Sequence, residues 1–208
     1  VLDFEAVEYS EDLVPAETLG LPETGPGKRP NTFRGTHKAY IWLPKDRKQL
    51  DVKVTGGLIR HYRDRGNVRF WLYADKEATL DPVAEDRSVP PDGKEYTVSL
   101  KSPYDGLHRL EWADGSDMTR IKLPGDVPYT FRSTLQDRTR LRGRWSMVFY
   151  VPKGTKTVGG YATATTGTVL DGAATEVFAF GDMEQAGYFS IGVPPGQDGA
   201  LWKLENCA

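Results

Sequence analysis

Residues 39–57 read AYIWLPKDRKQLDVKVTGG, and residues 147–160 read MVFYVPKGTKTVGG. Laid together, Ile41 falls on Phe149, Trp42 on Tyr150, Leu43-Pro44-Lys45 on Val151-Pro152-Lys153, Lys48 on Lys156 and Leu50 on Val158. A second pair follows each copy: YTVSLKSPYDGLHRLE at 96–111 and YFSIGVPPGQDGALWKLE at 188–205. Both run from a Tyr through alternating residues and a Pro turn to Asp-Gly and then Leu-Glu. Two segments in the same order, with a like gap between them, mark a duplicated module.

The patterning within each copy is that of short strands. In LDVKVT (50–55), Leu50, Val52 and Val54 alternate onto one face. In NVRFWLY (67–73), Val68, Phe70 and Leu72 do the same and leave Trp71 and Tyr73 on the other. Further strand signals lie at 39–43, 96–100, 106–112, 119–123, 145–151, 157–163, 168–170, 176–180, 188–193 and 201–204. No stretch holds a long apolar i, i+3, i+4, i+7 pattern, and strands do not alternate with helices, which argues against a parallel α/β fold. The expectation is an all-β chain of two related β-sandwich units of jelly-roll type. An N-terminal arm with a possible edge strand near its start covers 1–35, the first unit 36–129 and the second 130–208.

With 208 residues, 38% hydrophobic and 27% charged, the chain can bury a useful core. No apolar run approaches the length of a membrane span, so no membrane insertion is expected. The net charge of −2 argues against a surface built for nucleic acid. The single cysteine, Cys207, excludes an internal disulfide framework and reads as a buried thiol. Val1 at the start and the abrupt end after Asn206-Cys207 read as a fragment of a longer protein with further domains.

No nucleophile elbow, phosphate-cradling Gly-rich loop, H-E-x-x-H or C-x-x-C is present, and no catalytic residue or cofactor is assigned. The most enzyme-like stretch is IRHYRDR (59–65), with His61, Tyr62 and three Arg. A His or Tyr base beside Arg suits proton abstraction next to a uronic carboxylate, as in polysaccharide lyases. The competing reading is a solvated, charged hairpin end. Asp171, Asp182, Glu184, Asp75 and Asp81 could serve a structural calcium ion, though turn formation explains the Asp-Gly pair equally well.

Two features point to a ligand. In DRTRLRGR, Arg138, Arg140, Arg142 and Arg144 recur at every second position. If extended, they would form a ladder ~20 Å long on one face of a strand, suited to repeating carboxylates or sulfates. The second feature is aromatic: five Trp and ten Tyr, with Trp42, Trp71 and Tyr73 as the candidates for a platform on which sugar rings stack.

The run FYVPKGTK (149–156), its alternating strands and the closing IGVPPGQDGALWKLE (191–205) resemble galactose-binding-like jelly-roll modules. These are appended to secreted bacterial hydrolases and lyases. The resemblance covers the last ~65 residues and, more weakly, 39–112, and it carries over no binding residue. It implies a secreted, modular protein whose partner is a polysaccharide. The leading expectation is a non-catalytic carbohydrate-binding accessory region favouring acidic polysaccharide. The rivals are a lyase built on His61 and Tyr62, and a structural spacer or assembly domain.

Overall fold

A computed structural model describes residues 31–75, 78–131, 139, 141–163 and 166–208. The expected strand at 1–9 and the arm up to residue 30 lie outside the described residues. The strands in chain order are β1 (Thr32–Phe33), β2 (Thr36–Leu43), β3 (Gln49–Thr55), β4 (Val68–Tyr73), β5 (Ala84–Val89), β6 (Glu95–Lys101), β7 (Gly106–Ala113), β8 (Thr119–Lys122), β9 (Tyr129–Phe131), β10 (Leu141–Arg142), β11 (Trp145–Val151), β12 (Thr157–Ala162), β13 (Thr168–Leu170), β14 (Glu176–Ala179), β15 (Gly187–Gly192) and β16 (Ala200–Cys207). All described pairings are antiparallel. The chain is all-β, as its alternation requires. It falls into two compact units, Asn31–Arg142 and Gly143–Ala208.

The first unit is a sandwich of two five-stranded sheets, ordered β5-β4-β7-β2-β9 and β10-β1-β8-β3-β6. Its core joins the alternating positions of both sheets. Leu50, Val52, Val54, Val98 and Leu100 come from one, and Ile41, Leu43, Phe70, Leu72, Leu110 and Trp112 from the other. Each is no more than 1% exposed. The second unit has sheets β11-β16-β13-β14 and β12-β15 around Val151, Val169, Ile191 and Trp202.

The two units share one six-stranded plan. In the first, β2 and β4 flank β7, β5 borders β4, and β3 pairs with β6 in the facing sheet. In the second, β11 and β13 flank β16, β14 borders β13, and β12 pairs with β15. The central registers agree. Trp42 faces Leu107 and Ile41 faces His108, while Tyr150 faces Leu201 and Phe149 faces Trp202. Turn bonds agree too: Arg47 N–H donates to Pro44 O, and Thr155 N–H to Pro152 O. Ser102 N–H donates to Lys48 O, and Val193 N–H to Lys156 O, at 3.0 and 2.9 Å. A proline opening a four-residue turn sets the angle at which the chain leaves one sheet for the other.

The boundary expected after residue 129 falls later. β9 hydrogen-bonds β2 and β10 hydrogen-bonds β1, so both complete the first sandwich, as do Thr32 and Phe33 from the expected arm. Four strands carry no clear sequence signal. β5 (AEDRSV) buries only Val89, and β1, β9 and β10 are too short for periodicity to register. The stretch 59–65 forms a 3₁₀ turn, Arg60–Arg65, in place of a hairpin end.

Candidate functional site

Strand alternation puts Trp71 and Tyr73 on the outer face of the β5-β4-β7-β2-β9 sheet, because Phe70 and Leu72 are fully buried on the inner one. Trp42 shares that outer face. Its partner Leu107 lies two residues from Arg109, which faces Tyr73. All three aromatics are half-buried. Trp71 and Tyr73 are ~7 Å apart along β4, and Trp42 lies two strands, ~10 Å, across the sheet. The sequence-predicted aromatic candidates therefore meet on one face.

Polar groups fill the rows between them. One row runs Lys38, Glu111, Trp71, Glu85, and the next Tyr40, Arg109, Tyr73. Arg109 and Glu111 form an ion pair within β7, and both side chains are largely buried. Arg69 holds its guanidinium 5.6 Å from the Trp71 ring. Burial, with Glu111 next in weight, pushes the Tyr73 hydroxyl above the usual phenol range, against the opposing pull of Arg109. The face thus carries half-buried ring surfaces beside a buried polar row, in which Tyr40 is 4% and Arg109 7% exposed.

The second unit keeps part of this arrangement. Tyr150, 40% exposed, stands where Trp42 stands. Lys203 pairs with Glu205 at 2.6 Å as Arg109 pairs with Glu111. Thr168 and Leu170 replace Trp71 and Tyr73, so the full aromatic set belongs to the first unit alone.

Arg144 does not continue the expected arginine ladder. Arg138 and Arg140 lie outside the described residues. Arg142 ends β10, and Gly143 follows with φ +76°, a left-handed conformation that breaks extension. Arg144 is exposed beyond that break and belongs to the other unit, so Arg142 and Arg144 do not share a strand.

The stretch 59–65 gathers partners that sequence spacing hid. The His61 and Tyr62 rings meet edge-on at 4.1 Å. Arg65 lies over the Tyr62 ring at 3.5 Å, and Arg34, from the loop after β1, at 5.5 Å. Arg34 Nε and Arg65 Nη1 each donate to Ser116 O at 3.1 Å, and Arg65 Nη1 also donates to Gly115 O. Below them lie two buried carboxylates of the 114–117 turn. Asp114 accepts from Gly35 N–H and Thr119 Oγ1–H, and burial pushes its pKa up to about 6. Asp117 accepts from Ile59 N–H and Met118 N–H.

Other buried polar groups and two of the carboxylates named for calcium have partners within the fold. His108 is fully buried; its Nδ1 can only donate to Gly106 O, which leaves Nε2 to accept from Ser102 Oγ–H, so the ring is neutral and satisfied. His37 sits between Phe33 and Trp112 and donates from Nε2 to Arg34 O. Cys207 is buried, its thiol pushed up to about 11, which leaves it little thiolate for nucleophilic work. Of the residues named for calcium, Asp171 accepts from Ala173 and Thr175 N–H, and Asp75 from Thr79 N–H and Oγ1–H, as turn-forming Asp residues do. Among the described residues no three His, Cys, Asp or Glu side chains gather as a metal site.

The fold and this face define an all-β, sandwich-type protein with an aromatic sheet surface. Comparison with protein-family models, curated proteins and solved structures gave no match.

Proposed function

We propose that this chain is a non-catalytic, carbohydrate-binding accessory region of a secreted polysaccharide-active protein. The observation that carries the reading is the convergence of Trp42, Trp71 and Tyr73 on one sheet face around the Arg109–Glu111 pair. Such a face binds a glycan chain by stacking, with the polar row supplying orientation. The resemblance to galactose-binding-like modules points the same way. Calorimetric titration with neutral and acidic polysaccharides tests it. Binding by the native chain that is lost in Trp71→Ala supports the reading. No binding to any polymer rejects it and favours a structural spacer.

A second reading has its own observation. His61, Tyr62 and Arg65 come together on one turn, the grouping a uronate lyase needs. There a base would remove the proton beside the carboxylate, and the bond to the leaving sugar oxygen would break as the double bond forms. Release of unsaturated products from polygalacturonate, abolished by His61→Ala or Tyr62→Phe, would establish catalysis in place of simple binding.

A further inference from the structure

We propose that the turn Arg60–Arg65, together with Arg34, is a second binding site, for the sulfate or carboxylate groups of an acidic polysaccharide. Four guanidinia belong to it: Arg34, Arg60, Arg63 and Arg65. None has a carboxylate within salt-bridge distance among the described residues, whereas Arg47, Arg87 and Arg109 each have one. Asp64 on the same turn forms no ion pair with them, and the buried Asp114 and Asp117 spend their described hydrogen bonds on backbone amides and Thr119. These three acids lower the local charge without occupying the guanidinia.

Three of the four forks, those of Arg34, Arg63 and Arg65, are held in place by carbonyls. Arg34 and Arg65 converge on Ser116 O, and Arg63 Nε donates to Gly57 O at 3.1 Å. Arg34 uses only Nε in these bonds and Arg65 only Nη1, so N–H groups remain on both forks. Two like charges drawn to one carbonyl repel each other, and an anion relieves that repulsion. Anchoring removes in advance much of the side-chain entropy that binding costs. The Tyr62 ring already carries Arg65, so it serves to hold a cation and not to stack a sugar. The planar fork suits both carboxylate and sulfate oxygens.

The site depends on the glycan-binding reading only for the choice of polymer. Two readouts keep them separable. The first is thermal unfolding in sodium sulfate against sodium chloride at matched ionic strength. The second is titration with heparin, with polygalacturonate and with a neutral galactan. Arg60→Gln plus Arg65→Gln is expected to lose the sulfate-specific stabilisation and to weaken heparin or polygalacturonate binding about tenfold, the worth of one charge-assisted hydrogen bond. Its binding should also depend less on salt. Arg65→Lys keeps the charge but not the fork and should fall between. Arg60 lies outside the Ser116 anchor, so Arg60→Gln alone still reports should loss of Arg65 unfold the chain. Trp71→Ala should leave the sulfate response intact. Sulfate stabilisation that the double variant lacks, without polymer binding, would support the anion site while rejecting the glycan reading. Acidic-polymer binding and sulfate response unchanged in the double variant would overturn the proposal, as would tighter binding of double-stranded DNA than of either polysaccharide.

Discussion

His108 and Trp202 are counterparts: each is fully buried, each faces the same position of its unit's first repeat strand (Ile41 or Phe149), and each ring donates N–H to a backbone carbonyl, of Gly106 at the start of β7 or of Gln197 in the loop before β16. One is a neutral imidazole closed by Ser102, the other an indole closed by Gln197 O. The same place in two sandwiches accepts different rings so long as the buried N–H has a partner.

That placement gives His108 a pH signature. Burial holds its folded pKa below the ordinary 6.5, so the unfolded chain binds the proton more readily. The stability associated with neutral His108 is present above about pH 6.5 and is lost as pH falls below it. In the Asp114→Asn background, which removes the opposing contribution of that carboxyl, chemical denaturation between pH 7 and 5 should show that decline, and adding His108→Gln should flatten it.

Asp114 works in the opposite direction. Its pKa is raised from 3.8 to about 6, so the folded chain binds the proton more tightly. Stability should therefore fall as pH rises from about 4 to about 6, by on the order of 2–3 kcal/mol. Asp114→Asn keeps an acceptor for Gly35 N–H and should abolish this slope. A slope that survives in Asp114→Asn assigns it to another group.

Truncating the two kinds of tryptophan should separate core from surface. Trp112→Ala empties a fully packed position beside Phe33 and Phe131 and should cost about 3–5 kcal/mol. Trp71→Ala, on the outer face, should cost under about 1 kcal/mol by denaturant titration.

Gly57 cannot carry a side chain. Its φ is +75°, and an added Cβ would lie 2.1 Å from Pro91 O. Gly57→Ala should destabilise by about 3 kcal/mol or more, through both backbone conformation and overlap. Gly125→Ala, at a site with open space and ordinary φ, should shift stability by no more than about 0.5 kcal/mol. Equal melting temperatures for the two variants would contradict this account of the β3 exit.

The repeat was legible because it is local. The spacing from Pro44 to Leu50 recurs from Pro152 to Val158, and turn bonds and strand pairs within each unit reproduce it. Period-two alternation also settled which side of β4 Trp71 and Tyr73 occupy, since burying Phe70 and Leu72 leaves no other choice. β5, with one buried residue, gave alternation nothing to act on.

By itself, then, the amino-acid order determined the all-β character, the repeated strand–turn–strand segments and the buried face of the longer alternating strands such as β3 and β4, because these follow from side-chain period and turn residues. Only the tertiary structure decided what lies beside what. It set Trp42 on the same face as Trp71 through β7, broke the arginine series at Gly143, and brought Arg34 and Ser116 to Arg65 across 31 and 51 positions of chain. Such meetings depend on sheet order and on buried hydrogen-bond demand, and neither leaves a periodic mark on the sequence.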